Sequence, residues 1–413
     1  MRSHLLLVAA LLVGQSALTA AVIGTNPPSS PLTAARIAAL PADQRPAWQA
    51  YFERSRRLSD ADLASFNAEL KAAGLTTPLR PPNGHPPSLR RPAAWWSSVE
   101  AATIADNLVT FQPPSGGWNK NTNMTAAPRR RGERYGYEIG YFGTIDNDAT
   151  ITEIRFLAKV ITANSSAPHA AAWLNSFGRG VECLLASQYP NGGWPQVFPL
   201  VGGYHDAVTF NDSAMTNVLS FLHDLSTGGN EFAFVGADLR VRTAAAVERG
   251  LACLLAAQIT VDGRRTVWCQ QYDMLTLQPC AARNYEMPSQ ASAESADLVL
   301  FLMRLPVPSA AVVSAVHTAA AWFQKTQLRD VAFPSVTDGS GRKLVRSPGA
   351  APLWPRYSEI GTDRPLFGDR DHTIHDTIDE ISRERRDGYA WYGTWPARAL
   401  EQYAKWAKAH PKS

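Results

Sequence analysis

The stretch YPNGGWPQVFPLVGGYHDAVTFNDSAMTNVL, Tyr189–Leu219, decides how this chain folds. It contains a Gly-Gly-Trp-Pro turn, a second Gly-Gly pair and the polar triplet Asn211-Asp212-Ser213, which leads into an apolar run with helical spacing. Glycine adopts positive φ at little steric cost, so the first half predicts a shaped loop. Asn, Asp or Ser before an apolar run is typical of a helix N-cap, so the second half predicts the start of a helix.

The same arrangement recurs at a nearly constant interval. A helical run ends in a glutamine four times, at Gln112, Gln188, Gln258 and Gln327, which are 76, 70 and 69 residues apart. Gly-Gly-Trp follows the first two glutamines with the same spacing, and RGLACLLAAQ at Arg249–Gln258 copies RGVECLLASQ at Arg179–Gln188. Similarity at a fixed interval indicates one supersecondary unit used several times.

Each unit predicts two helices. The second helices are predicted to begin at Asp146–Thr150, at Asn211–Ala214 and near Ser289–Ser292, and the fourth is predicted over Pro396–Trp406. Period-two strand patterns are scarce and short. Helix pairs repeated around a centre predict an all-α fold, an α/α toroid that is an incomplete α/α barrel.

The chain divides into three parts by composition. Residues 1–21 are predicted to be a secretory signal peptide, because a basic residue and a short apolar core precede small residues. Residues 22–92 are predicted to form a small N-terminal helical extension, with helices near Gln44–Arg57 and Asp60–Ala73 and a Pro-rich linker. Residues 93–413 are predicted to be the toroid, which is the catalytic domain.

Composition limits the classes of function. The 413 residues are 45% hydrophobic and 18% charged, and 40 basic against 36 acidic residues give a net charge of +4. This balance argues against a nucleic-acid partner, and no apolar run is long enough to span a bilayer. We therefore expect a secreted or periplasmic protein that acts as a monomer without a membrane partner.

The four cysteines match no metal-binding spacing. Export permits disulfides, and Cys269–Cys280 would close a short loop. Cys183 and Cys253 lie among Leu and Ala on predicted helices, where buried free thiols fit equally well. Both interpretations stay open at this point.

If the units repeat in space, the loops joining first to second helices open on one rim of the toroid. Asp146, Asn147, Asn211 and Asp212 would share that rim with the loop around Arg283. Helix N-termini, with their free N–H groups, point to the same side. The commoner role for Asp or Asn at such a place is a helix cap, and the rim is the alternative.

The long loop 329–395 is dense in charged residues and in Trp and Tyr. A solvated loop with internal ion pairs is one interpretation. The other is a binding surface, because aromatic rings beside arginines suit a sugar that carries a carboxylate.

These residues resemble the pectate lyases of polysaccharide lyase family 10, over about Ala94 to Trp406. The matching motifs are YPNGGWPQVFPL at Tyr189–Leu200 with GGYHD and FND after it, IDN at Ile145–Asn147, ARNYE at Ala282–Glu286 and GYAWYGTWP at Gly388–Pro396. Two departures are Asn284, where a small residue is expected, and Gly368 beside Asp369-Arg370-Asp371. Neither removes a functional side chain.

The resemblance implies an α/α toroid and Ca²⁺-dependent β-elimination of polygalacturonate (pectate), which is the expected partner. Arg283 resembles the family's base, and Asp146, Asn147 and Asp212 resemble its metal-site residues. The substrate-binding residues that it implies are Asn211, Arg356, Arg370 and Lys120. A guanidinium normally stays protonated, so the base needs neighbouring cations that favour its neutral form.

Two other classes of function remain as alternatives. A secreted glycoside hydrolase would use Asp146 and Asp212 as paired carboxylates. A non-catalytic binding protein for acidic polysaccharides would use the aromatic and arginine residues without needing the carboxylates. His205 is a further candidate metal ligand or acid, although a structural hydrogen bond is the commoner role.

Overall fold

The computed structural model describes residues 21–336 and 339–412. The predicted signal peptide, apart from Ala21, lies outside the described residues. The helices in chain order are α1 Ala34–Ala38, α2 Arg45–Ala72, α3 Val99–Thr110, α4 Ile151–Ala163, α5 Ala170–Ser187, α6 Ala214–Thr227, α7 Ala237–Ala256, α8 Ser292–Leu302, α9 Ala310–Thr326, α10 Arg383–Gly388 and α11 Trp395–Ala409.

Eight helices form four pairs, α3/α4, α5/α6, α7/α8 and α9/α11. The second helices contact one another in the order α4, α6, α8 and α11, and the first helices lie outside them. The α/α toroid is therefore confirmed. Helix α11 buries only Pro396 and Ala399, so it forms an open end of the ring.

Strands are two or three residues long and lie in the loops. They are β1 Gly24–Thr25, β2 Val208–Thr209, β3 Thr260–Val261, β4 Arg264–Arg265, β5 Gln271–Tyr272, β6 Gln290–Ala291, β7 Val331–Ala332, β8 Ser335–Val336, β9 Gly341–Arg342, β10 Val345–Arg346, β11 Trp354–Pro355, β12 Tyr357–Ser358, β13 Phe367–Gly368, β14 Thr373–His375 and β15 Tyr392–Gly393. Most pair in twos, and one three-stranded sheet has the order β1-β14-β13.

The repeated glutamines join neighbouring units. The Gln112 amide donates to the Gly116 carbonyl (2.7 Å) in its own loop and to the Ser176 carbonyl (2.9 Å) in α5. Gln188 makes the same two bonds, to Gly192 (3.0 Å) and to Ala246 in α7 (2.9 Å). Each glutamine thus fixes its loop and the next first helix together, and the period of the sequence is the period of this contact.

The repeated tryptophans lie at the C-terminal end of each first helix. Their indole N–H groups donate to a carbonyl near the end of the preceding first helix, at 2.7–2.9 Å, in all four units: Trp118, Trp194, Trp268 and Trp354. Glycine is required beside them, because a Cβ on Gly192 (φ +92°) would lie 2.1 Å from the Arg249 carbonyl oxygen. The Gly-Gly-Trp motif is therefore part of the scaffold.

The N-terminal extension differs from its prediction in one respect. The two helices predicted over Gln44–Arg57 and Asp60–Ala73 are one continuous helix, α2, of 28 residues. No Gly or Pro separates them, and one apolar face continues through the junction. This face packs on the toroid: Tyr51 donates to the Ser187 carbonyl (3.0 Å), and Trp48 lies 5.3 Å from the Tyr189 ring. The boundary between extension and toroid at residues 92 and 93 stays a proposal.

All four cysteines are free thiols, so the disulfide interpretation, including the Cys269–Cys280 pair, is wrong. Cys183, Cys253 and Cys269 are buried. Within the described residues, no helix has the length and apolar character that crossing a membrane requires.

Candidate active site

Two polar turns precede the second helices of the first two units. Asp146–Asp148 and Asn211–Ser213 are single 3₁₀ turns, and each contains a residue with left-handed backbone: Asn147 at φ 51° and Asp212 at φ 48°. Neither of the helices that follow, α4 and α6, has a side-chain capping hydrogen bond at its N-terminus. The helix-cap interpretation of Asp146 and Asp212 is therefore wrong. Left-handed non-glycine residues concentrate at functional sites, which directs attention to these turns.

Asp146 is buried at the base of the rim and has one free oxygen. Its Oδ2 forms an ion pair with the Lys120 ammonium, whereas its Oδ1 is buried without a hydrogen-bond partner. Asp212 lies at the surface nearby and accepts a hydrogen bond from the Asn211 amide (3.0 Å). Surrounding protein raises the pKa of Asp212, and the negative charge of Asp146 raises it further. The two carboxylates would therefore be stabilised by a cation between them.

Arg283 lies across the rim and is held by one carboxylate. Its Nε donates to Glu286 Oε2 (2.9 Å) and its Nη2 donates to Glu286 Oε1 (2.5 Å). Glu286 is buried, whereas the Arg283 side chain is 44% exposed. Among the described residues, Arg283 Nη1 makes no side-chain hydrogen bond, so it is the nitrogen free to face a ligand.

A base at Arg283 was expected to have neighbouring cations that lower its pKa, but its direct partner is the anionic Glu286. Burial acts to lower the pKa of Arg283, but the two hydrogen bonds that Arg283 donates to Glu286 and the charge of Glu286 outweigh burial, and the pKa is raised above its ordinary value. The same contact lowers the pKa of Glu286 against the effect of its burial. The free protein therefore holds a guanidinium–carboxylate pair here.

A hydrogen-bonded chain joins Glu286 to Asp212. Tyr389 donates to Glu286 Oε1 (2.7 Å), and its hydroxyl lies 2.6 Å from that of Tyr357. The chain continues from Tyr357 to Gln270 Oε1 (2.6 Å), from Gln270 to Asn211 Oδ1 (2.6 Å) and from Asn211 to Asp212. Asn211 thus connects the carboxylate turn to the arginine loop, which links two predicted site residues through side chains that were not predicted.

Arg356 lies beneath the rim. Its side chain is 11% exposed, and its guanidinium forms an ion pair with Glu294 of α8, which is 2% exposed. Burial acts to lower the pKa of Arg356, and the Glu294 charge raises it well above its ordinary value. The guanidinium also lies 5.1 Å from the Tyr389 ring. This side chain carries a fixed positive charge under the site.

Arg370 marks the outer edge. Its side chain is 56% exposed, pairs with Glu384 (3.0 Å) and lies 5.5 Å from the Tyr285 ring. The positive charge of Arg283 is close enough to act on the pKa of Arg370. His205 lies near Lys120 and Asp146, and its ring is stacked on that of Tyr204 with 4.1 Å between the ring centroids. Burial lowers the pKa of His205, and the Lys120 charge lowers it further, so its imidazole is neutral at pH 7.

Contacts and charge interactions thus connect seven of the eight predicted site residues, and the eighth, Asn147, is exposed and follows Asp146 in the chain. The prediction missed Glu286, Glu294 and Gln270, and it included Tyr357 and Tyr389 only among the aromatic residues of the loop 329–395. Glu286 could have been found from its position three residues after Arg283. Glu294 is the third residue of a second helix, as is Glu153 in α4, so alignment of the repeats could have indicated it.

The oxygen atoms of the two turns can be tested against a metal ion. Within residues 21–336 and 339–412, no three His, Cys, Asp or Glu side chains form a metal-binding group. The free, buried Asp146 Oδ1 and the Asp212 carboxylate nevertheless fit a hard, oxygen-seeking cation. Such a cation would complete its coordination with water or ligand oxygens.

Comparison with known proteins gives a consistent result. A sequence model of the pectic acid lyase family matches residues 112–400. The family 10 polysaccharide lyase from Cellvibrio cellulosa is 33% identical over 78% of this chain and 98% of that chain, with a TM-score of 0.65. A mutant of that lyase in complex with trigalacturonic acid is 32% identical over 76% and 97% of the two chains, with a TM-score of 0.66.

A comparison with curated proteins gave no match. The family match covers more than half of the chain, and the solved lyase aligns over nearly all of its own length. This chain therefore belongs to the pectic acid lyases, family 10 of the polysaccharide lyases, and is a lyase.

Proposed function

We propose that this protein cleaves polygalacturonate by Ca²⁺-dependent β-elimination and releases unsaturated oligogalacturonides outside the cytoplasm. The observation that carries the proposal is the arrangement of Arg283 opposite Asp146 and Asp212, with Arg356 fixed beneath them. The complex of a family 10 lyase with trigalacturonic acid supports the substrate class. Export rests on the predicted signal peptide at residues 1–21.

The proposed base is Arg283. It would take the C5 proton through Nη1, because Nε and Nη2 are engaged by Glu286. The C5 electron pair forms the C4=C5 double bond, the C4–O4 bond breaks, and O4 leaves with its electron pair and takes a proton from water. Because the pKa of Arg283 is raised in the free protein, the neutral base form would need added positive charge nearby, which Ca²⁺ bound together with the anionic substrate would supply.

The remaining predicted residues would bind and orient the uronate carboxylates. Arg370, at the exposed edge, is suited to clamp a carboxylate directly. Lys120 and Asn211 lie beside Asp146 and Asp212 and would hold sugar oxygens. The buried charge of Arg356 would stabilise the negative charge that develops as C5 loses its proton.

Asp146, Asn147 and Asp212 are the residues that would hold Ca²⁺. When bound, Ca²⁺ lowers the energy of the enolate-like charge on the uronate carboxylate. Since Lys120 occupies Asp146 Oδ2, the free Oδ1 is the oxygen available for the metal.

The test is incubation of the purified protein with polygalacturonate and Ca²⁺, followed by mass analysis of the products. We expect unsaturated oligogalacturonides, whose summed mass equals that of the polymer. Products heavier by one water for each cut would support the hydrolase alternative instead. Binding without any cleavage would support the non-catalytic alternative.

A further inference from the structure

We infer that residues 23–36, which we call the N-terminal clasp, are a positioning element of the active site, with Asn26 as its central residue. The inference rests on the proposed function of Arg283. The family match begins at residue 112, so the clasp lies outside it. It is nevertheless joined to the loops that carry Arg283 and Arg370.

Asn26 holds the main chain of the arginine loop. Its side chain is 2% exposed, and its Nδ2 donates to the carbonyl oxygens of Arg283 and Asn284, at 3.0 Å each. The neighbouring Ser29 hydroxyl donates to the Ala281 carbonyl. The Arg283 side chain is half-exposed, so its position depends on the Glu286 pair and on the main-chain contacts of its loop more than on packing of its stem.

The clasp also holds the Arg370 loop. Strand β1 pairs antiparallel with β14, and the Ile23 and Asn26 amides donate to the Ile374 (2.9 Å) and His372 (2.8 Å) carbonyls. Without β1, the strands β13 and β14 would form an isolated two-stranded hairpin, which is marginally stable in water. Strand β1 is therefore the third strand that orders the loop bearing Arg370.

The two loops are packed against each other, so the clasp orders them together. The Asn284 amide donates to the Arg370 carbonyl. A Cβ on Gly368 would lie 2.4 Å from the Tyr285 carbonyl oxygen, so only glycine permits this approach. Both departures from the family pattern, Asn284 and Gly368, thus lie at the junction that the clasp supports.

The Asn26 side chain is satisfied only through its donor nitrogen. Its Oδ1 is buried without a hydrogen-bond partner, which is unfavourable. An apolar residue of similar shape would remove that unpaired atom, but it would also leave the Arg283 and Asn284 carbonyls without this donor. The two bonds that the Asn26 amide donates position the main chain of Arg283. This position matters for activity, because small displacements of a catalytic group lower the rate steeply.

The experiment compares Asn26→Leu with Asn164→Leu in the full chain. Asn164 is a matched control, because its Nδ2 also donates to two carbonyls, those of Trp96 (2.8 Å) and Val160 (2.9 Å), at the far end of α4. On polygalacturonate with Ca²⁺, we expect Asn26→Leu to lower kcat about 10- to 100-fold with KM within about threefold. Asn164→Leu should retain kcat. Equal kcat values for the two variants would overturn the inference.

A second measurement does not depend on activity. Hydrogen exchange of the Glu286 and His372 amides should be about tenfold faster in Asn26→Leu, while exchange within α4 stays unchanged. Unchanged exchange at both amides would refute the clasp whatever the outcome for the proposed role of Arg283. Failure of the proposed function alone would instead show as wild-type protein that releases no unsaturated product while this exchange difference persists.

An independent variant guards against an effect of the leucine itself. Ile23→Pro removes the amide that donates to Ile374, whereas Val22→Pro changes a residue that lies just outside the β1 ladder. We expect the first to reproduce the loss of kcat and the second to leave kcat near the wild-type value. Equal kcat in both proline variants would contradict the role of β1.

Discussion

The first two and the last two helix pairs build the same rim in different ways. The first two contribute carboxylates, Asp146 and Asp212, from short strained turns directly before the inner helices. The last two contribute cations, Arg283, Arg356 and Arg370, from long loops that are themselves tied by Glu286, Glu294 and Glu384. The scaffold repeats, but the chemistry is divided between its halves. Acidic groups stand on rigid turns, and each arginine has its own carboxylate partner.

The largest expected effect is on the base. We predict that Arg283→Lys lowers kcat about 10²- to 10⁴-fold, because an amine cannot keep both the Glu286 bonds and a free nitrogen toward C5. Arg370→Lys, at the exposed edge, should mainly raise KM. Steady-state kinetics on polygalacturonate measures both. Equal losses confined to KM would show that Arg283 only binds, and His205 would become the first candidate for the base.

The acidic half should behave as a unit. We predict that Asp146→Asn and Asp212→Asn each lower activity about 10²- to 10³-fold and weaken Ca²⁺ binding, and that the double variant is little worse than either. The reason is that both carboxylates would hold one cation. Calorimetric Ca²⁺ titration and activity after chelation provide the measurement. Independent, additive losses with unchanged Ca²⁺ affinity would separate the two turns, as would full activity after exhaustive chelation.

Glu286 connects the charge of the arginine half to pH. The contact with Glu286 raises the pKa of Arg283, so the neutral base form of Arg283 requires a higher pH than it would without Glu286. We predict that Glu286→Gln lowers kcat about 10- to 100-fold through lost orientation, yet moves the rising limb of the pH–rate profile to lower pH. The profile of kcat from pH 6 to 11 checks this. A limb that stays in place would mean that the Arg283 proton does not control the rate.

The repeat made the scaffold predictable from sequence. Gln112 and Gln188 each make the same two contacts, one within their own loop and one to the next first helix, so their spacing indicated the α/α toroid and the positions of the inner helices. Local patterns also located the two polar turns. The helix-cap interpretation failed because the turns adopt left-handed backbone at Asn147 and Asp212, which propensity alone does not indicate.

The partners of the arginines were not predictable in the same way. Glu294 reaches Arg356 across 62 residues, and Asn26 reaches Arg283 across 257 residues. Such pairs depend on how long loops cross the rim, and no periodicity records that path. Metal binding, the role of Arg283 as base and export remain predictions.

Glu153 and Glu294 offer the smallest and sharpest test of the comparison, because both are the third residue of an inner helix and both are buried. Burial raises the pKa of both carboxyl groups, that of Glu153 to about 8, but the Arg356 guanidinium acts to lower the pKa of Glu294, whereas Glu153 forms no ion pair with a described residue. A carboxyl group with a raised pKa leaves stability intact below its unfolded pKa near 4.5. As pH increases toward 8 the unfolded chain ionises first, so the folded state loses stability over that window. Glu153→Gln removes this loss, and we predict a gain of about 4 kcal/mol in unfolding free energy at pH 8 that vanishes near pH 4. Glu294→Gln should instead destabilise by about 3 kcal/mol, because it leaves the buried Arg356 charge unpaired. Urea denaturation of both variants at pH 4 and pH 8 measures the pair, and shifts of the same sign at pH 8 would show that the two halves do not differ in this respect.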